Sequence, residues 1–183
     1  MKRPSILVVI PARKGSKGIK AKNKKLLLGK PLVSYSLEIS QALPDNYHAY
    51  ISTDDDILKI ARKYNVRDNG LRPEKLSGDK ALTLDVLSYE LNTIEKKLGM
   101  SFDGVLLLQP TCPIGDINHI FEVESLFTEK KMLSSVVSIK KIDAGHPFRI
   151  KRIVGHKLSV AHISKATFFS ISTKTISANF SFA

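Results

Sequence analysis

The chain is poor in the features that tie a protein to a membrane or an oxidising compartment. It has one cysteine, Cys112, so no internal disulfide framework is available. No apolar run approaches the roughly 20 residues of a membrane-spanning helix. The first such run, Ile6 to Ile10, is too short for a signal-peptide core, and no small-residue cleavage site follows it. These absences lead to the expectation of a cytoplasmic protein with no membrane partner. Acidic residues are missing from both ends. Residues 1–30 hold ten basic and no acidic side chains, and residues 144–183 hold six and none. Between them, thirteen basic residues stand against seventeen acidic ones. The net charge of +12 invites a nucleic-acid partner. Its distribution argues against one, because the body is mildly acidic and no aromatics interleave the basic loop. Absent too are the spacings of a Walker A loop and of the G-x-G-x-x-G dinucleotide turn.

What is present is a junction. The apolar run Ile6-Leu7-Val8-Val9-Ile10 feeds into Pro11-Ala12-Arg13-Lys14-Gly15-Ser16-Lys17-Gly18, and Lys22-Asn23 follow. A buried strand opening into a glycine- and lysine-rich loop is where an α/β protein receives phosphate. Glycines let backbone N–H groups approach an anion. Arg13 offers a forked donor pair, and the lysines add charge. A solvated surface loop has similar composition, but a nucleoside triphosphate is the natural client of so many cations with no acid before Glu38.

Strand-like and helix-like segments alternate along the chain. Strands are expected at 6–10, 49–53, 104–109 and 134–139, with a brief one at 66–67. The stretch 25–31 reads as a short extended segment and turn. Helical spacing predicts helices over 31–43, 55–65, 82–98 and 117–126. Leu84, Leu87, Leu91, Ile94 and Leu98 mark the apolar face of the third helix. One of Asp54, Asp55 and Asp56 is expected to cap the second. This is a three-layer α/β domain, its mainly parallel sheet flanked by helices. Loops starting at Pro11, Thr53, Gln109 and Lys140 should converge on the ligand site.

Three further motifs accompany the first loop: Ser52-Thr53-Asp54, Leu71-Arg72-Pro73-Glu74-Lys75-Leu76-Ser77-Gly78-Asp79, and Leu107-Leu108-Gln109-Pro110-Thr111-Cys112-Pro113. Together with I-P-A-R-x-G-S-K-x-x-x-x-K-N they resemble, in order and over about residues 5–153, the acylneuraminate cytidylyltransferases. These are the CMP-sialic acid synthetases and the bacterial CMP-nonulosonate synthetases. The resemblance implies a Rossmann-like nucleotidyltransferase fold. It also implies Mg²⁺-dependent transfer of CMP from CTP to the anomeric hydroxyl of a nonulosonic acid, releasing pyrophosphate. By the same resemblance, Arg13, Ser16, Lys17, Lys22 and Asn23 hold the triphosphate, and Lys22, Arg13 and Lys17 carry the catalysis. Arg72 and Thr83 bound the cytidine, with Asp79 organising that pocket. Gln109 lies near the ribose or the sugar, and Arg149 meets the acidic sugar. His146 reads as a base or as a structural residue before Pro147. Relatives form homodimers.

The likeness fades beyond Ile153. The family's R-x-Q-x-L-P-x-x-Y-x-x-N-G-A-I segment and its late D-x-D pair are not found. The nucleotide-binding domain is therefore expected at 1–155. Residues 156–183, rich in Ser, Thr, Phe and Ile, read as an aberrant tail, frameshifted or disordered. Metal ligands then reduce to phosphate oxygens, water and Asp54 or Asp55, so the expectation is a chain that binds CTP but turns over poorly. Two alternatives accompany the leading reading: a CTP-binding protein without turnover, and a cytidylyltransferase for an eight-carbon sugar acid.

Overall fold

The computed structural model describes residues 3–15, 18–129, 135–137, 151–154, 157–160 and 175–178, the last three groups as backbone strands alone. The chain divides into two compact units, Met1–Ile139 with Thr173–Ala183, and Lys140–Ser172. The second unit contains an antiparallel hairpin of two strands, Lys151–Val154 and Lys157–Val160. The boundary expected at 155/156 falls between these strands. Residues 156–183, read as a tail, include the second of them and a further strand, Thr175–Ala178.

The first unit is built on a parallel sheet. Its strands are β1 (Ile6–Pro11), β4 (Tyr47–Ser52), β5 (Arg67–Asp68), β6 (Gly104–Leu108), β7 (Val136–Val137) and β10 (Thr175–Ala178). Between β1 and β4, Leu26–Leu27 (β2) and Lys30–Pro31 (β3) form a small hairpin. The hairpin of the second unit supplies β8 and β9. In the sheet the order is β5-β4-β1-β6-β10-β7, and every pairing is parallel. The chain leaves β1 toward β4 and β5, then crosses back to place β6 on the other side of β1. That reversal is a topological switch point, where loops from adjacent strands diverge and leave a crevice.

The layers follow from the pleat. Successive residues of a strand face opposite sides, and β1 is apolar at every buried position because both sides are covered. Ile6, Val8 and Ile10 pack with Val33 and Leu37 of α1 (Leu32–Gln41), with Ala61 of α2 (Leu58–Lys63), and with Ile120, Val123 and Phe127 of α4 (Ile117–Glu129). Leu7 and Val9 face the other way, onto Leu87 and Ile94 of α3 (Thr83–Leu98). Strands β4 and β6 divide their side chains in the same manner. Each such apolar side chain, fully buried, contributes about 1.5–3 kcal/mol.

Two local expectations are corrected. The buried face of α3 is Val86, Leu87, Glu90 and Ile94, with Leu98 left 39% exposed. None of Asp54, Asp55 and Asp56 caps α2, which starts from Ile57 without a side-chain cap. The fourth strand is described only over Val136–Val137.

Candidate nucleotide-binding cleft

Two loops at the switch point open from neighbouring parallel strands, one after Pro11 and one after Leu108. With the segments from Arg72 to Val86 they enclose a cleft of about 490 Å³. The structure brings seven of the sequence-nominated residues to its wall. Arg13, Lys22 and Asn23 come from the first loop, Arg72, Asp79 and Thr83 from the middle segment, and Gln109 from the tip of β6. Ser16, Lys17, His146 and Arg149 lie outside the described residues, as does the loop expected to start at Lys140.

The first loop is shaped by bonds to other segments. Asn23 is buried in a short 3₁₀ turn, Lys22–Lys24, and its Nδ2 donates to the Arg13 carbonyl at 3.0 Å. Ala21, just before that turn, takes a left-handed backbone (φ 52°) that non-glycine residues rarely adopt. The Thr53 hydroxyl donates to the Ala12 carbonyl at 2.6 Å, and the Lys14 N–H donates to Asp54 Oδ1 at 2.7 Å. So Thr53 and Asp54 act as a strap on the loop rather than as a helix cap. Lys24 faces its own partners, Asp55 Oδ2 at 3.0 Å and Asp56 Oδ1 at 2.7 Å. The bonds to these two carboxylates raise its pKa. Arg13 reaches across to Asp79 at 2.9 Å, a half-exposed pair of small energetic weight.

Arg72 forms the floor. It is 7% exposed, yet it lines the cleft. Its Nη2 donates to the Ser52 carbonyl, and its backbone N–H donates to the Thr53 carbonyl at 2.7 Å. Burial pulls its pKa down while the Asp54 and Glu90 charges act the other way; an arginine keeps its charge regardless. Thr83 is exposed at the first turn of α3, and half-buried Gln109 starts a tight turn in which the Cys112 N–H returns to its carbonyl at 3.0 Å.

A cleft walled by Arg13, Lys22 and Arg72 together with Asn23, Thr83 and Gln109 can hold a polyanion and hydrogen-bond a polar group. Among the described residues no three His, Cys, Asp or Glu side chains gather as a metal cage. Asp54 and Asp55, the expected ligands, already serve Lys14 and Lys24.

Motif reading missed Glu90, and it picked out Ser52 only as part of Ser52-Thr53-Asp54. The Ser52 hydroxyl donates to Glu90 Oε1 at 2.5 Å beside Arg72. The available signal was a glutamate inside an apolar helical stripe, at the spacing of Val86, Leu87 and Ile94. Burial pushes the Glu90 carboxyl's pKa up, while bonds from Ser52 and Asn69 and the Arg72 charge oppose that rise.

Comparison with known proteins follows the same lines. Residues 7–141 match the family described as Cytidylyltransferase. The chain is 34% identical over 140 residues to an N-acylneuraminate cytidylyltransferase of Escherichia coli, covering 76% of this chain and 32% of that protein. It is 35% identical over 141 residues to a CMP-N,N'-diacetyllegionaminic acid synthase of Legionella pneumophila, covering 74% and 60%. A pseudaminic acid cytidylyltransferase of Campylobacter jejuni is 34% identical over 110 residues, covering 59% and 47%. The chain thus spans between about a third and three-fifths of these curated relatives' lengths. Among solved structures, a CMP:2-keto-3-deoxy-manno-octonic acid synthetase complexed with CTP shares the fold, with a TM-score of 0.56 at 16% identity. That likeness covers 72% of this chain and 51% of the other. A cytidylyltransferase from Leptospira borgpetersenii gives a TM-score of 0.52 at 19% identity, over 70% and 50%. On the family match across most of its length, the chain belongs to the cytidylyltransferase family.

Proposed function

We propose that the cleft binds CTP and that the chain serves transfer of CMP to the anomeric hydroxyl of a nonulosonic acid, with release of pyrophosphate. The observation that carries this reading is the convergence at one switch-point cleft of three segments separated by dozens of residues, each bringing polar or cationic groups. The named activities of the relatives at 34–35% identity point the same way. In this reading Arg13 and Lys22, with Ser16 and Lys17, oppose the triphosphate. Lys22 neutralises charge growing on the departing pyrophosphate, where a fixed cation acts without reorganisation. Arg72 and Thr83 bound the cytidine, Asp79 orients Arg13, and Gln109 and Arg149 face the sugar acid. Holding the hydroxyl in line with the α-phosphate removes much of the entropic barrier. Mg²⁺ belongs to this reading as a companion of the triphosphate, whose oxygens and waters supply most of its ligands. A cytoplasmic location, where nucleotides are plentiful and a lone thiol stays reduced, completes it. Among the described residues no helix is long and apolar enough to cross a membrane.

The test is calorimetric titration of the full chain with CTP, ATP and a short DNA duplex, and then pyrophosphate release with candidate sugar acids. Selective CTP binding is expected, with affinity reduced at least about tenfold in Lys22→Ala, the scale of one lost charge-assisted contact. Equal affinity for CTP in the parent and in Lys22→Ala would sink the assignment of the cleft.

A further inference from the structure

On the protein side of Arg72 lies a buried polar cluster that the reading above leaves without a task. Glu90 is 3% exposed, about two helical turns beyond Thr83 along α3. One of its oxygens accepts the Ser52 hydroxyl at 2.5 Å, and the other faces Asn69 Nδ2 at 3.5 Å. Ser52 is itself 1% exposed, and its carbonyl accepts both the Ala12 N–H at 2.9 Å and Arg72 Nη2. Ser52 thus stands between a buried carboxylate and the guanidinium of Arg72, a residue that lines the cleft.

A carboxylate at this place is a poor choice for stability alone. Its neighbours on the helix face are Val86, Leu87 and Ile94, and a fourth apolar side chain would avoid the cost of burying a charge. What the carboxylate supplies is a fixed negative charge behind Arg72 and an acceptor that sets the Ser52 hydroxyl. Both effects bear on where the guanidinium sits.

We propose that Glu90 is a positioning residue for nucleotide binding: acting through Ser52 and through its charge, it holds Arg72 in the pose in which Arg72 forms the floor of the cleft. This rests on the CTP reading above. The groups facing Glu90 are Ser52, Asn69 and Arg72, and Arg72 in turn faces Asp54 and Arg13. Both arginines stay charged throughout the accessible pH range. Burial raises the pKa of Glu90, so falling pH neutralises it early and removes the charge behind Arg72. Affinity for CTP then drops toward acid for a reason that a glutamine at this position lacks. Glu90→Gln keeps an oxygen for the Ser52 hydroxyl and loses the charge.

The test compares the full-length chain with Glu90→Gln and Glu90→Asp, by CTP titration from roughly pH 5 to roughly pH 8 and by thermal unfolding of the same samples. Near the alkaline end Glu90→Gln should bind CTP about tenfold more weakly, the scale of one charge-assisted contact. The gap should close toward acid. The melting temperature of Glu90→Gln should stay close to that of the parent, because the variant no longer buries a carboxylate charge and no direct ion pair to Arg72 is broken. Glu90→Asp, which restores the charge, should bind more tightly than Glu90→Gln, and this comparison with the parent decides the matter should Glu90→Gln fail to fold. Equal CTP affinity in all three chains overturns the proposal. So does weakened binding that simply follows a lower melting temperature. If the unsubstituted chain fails to bind CTP, the nucleotide reading falls and this proposal with it. Equal binding by parent and Glu90→Gln removes this proposal alone.

Discussion

Replacing Thr53 by valine separates a loop strap from a helix cap. Thr53 is fully buried at the end of β4. Its hydroxyl donates to the Ala12 carbonyl at 2.6 Å and accepts the Asp55 N–H at 3.2 Å. Valine has the same shape without the hydroxyl, so packing is kept and both backbone groups lose this partner. A buried polar group left unpaired costs about 1–3 kcal/mol. The Asp55 contact is longer and only partly buried, so it adds little. The expected loss is about 2 kcal/mol, dominated by Ala12. In a chain of this size each kcal/mol shifts the melting temperature by about 2–4 °C, so Thr53→Val should melt about 4–8 °C lower. Thr53→Ser keeps the hydroxyl and loses one buried methyl, at a cost of about 1 kcal/mol. Ala12 is the residue before Arg13, so the two variants should also part in ligand binding. Thr53→Val weakens CTP affinity by letting the loop shift, whereas Thr53→Ser leaves it near the parent's. Differential scanning calorimetry with and without CTP reads both effects. If Thr53→Val melts within about 1 °C of the parent, or above Thr53→Ser, the strap is refuted.

Two further perturbations act away from the cleft. Tyr47→Phe removes a hydroxyl that donates to Glu124 Oε2 at 2.7 Å, and burial with that bond pushes the Tyr47 pKa far up. It should cost about 1 kcal/mol in urea unfolding and leave CTP affinity untouched; a binding defect would contradict the placement of the cleft. His48 is partly buried near Arg67, and both burial and that charge lower its pKa. The folded state therefore takes up the His48 proton less readily than the unfolded chain does. The stability this represents is present above the unfolded pKa of about 6.5 and is lost as pH falls through the lower folded value. His48→Asn should lack that component, so unfolding midpoints of parent and variant should diverge across this window. Parallel pH profiles would show that His48 titrates alike in both states.

Much of this architecture can be read from local chemistry. The continuous apolar runs of β1 and β6 can be buried only on two sides, so they dictate central parallel strands and helices on both faces. The cation-rich loop after β1 declares an anion site because nothing in its own sequence neutralises it. The nominated residues after β1 and β6 and at the start of α3 meet at one cleft because parallel strands deliver such positions to one edge of the sheet.

What local pattern could not decide is which of two identical-looking roles a polar side chain takes. Ser52-Thr53-Asp54 before a helix has the composition of a cap. Its donors and acceptors find the loop after β1 instead, because sheet pairing places Pro11 beside Ser52 across some forty residues of chain. Glu90 falls on the apolar stripe of α3, but only the docking of α3 against β1 and β4 sets it beside Ser52 and Arg72. Likewise, Thr175–Ala178 lies in a tail rich in Ser, Thr, Phe and Ile whose composition does not name its partners, and it pairs between β6 and β7. The sequence alone determined which groups could bind a polyanion. The tertiary structure decided which of them are held in place by others, because hydrogen bonds and buried charges depend on neighbours in space that no window along the chain contains.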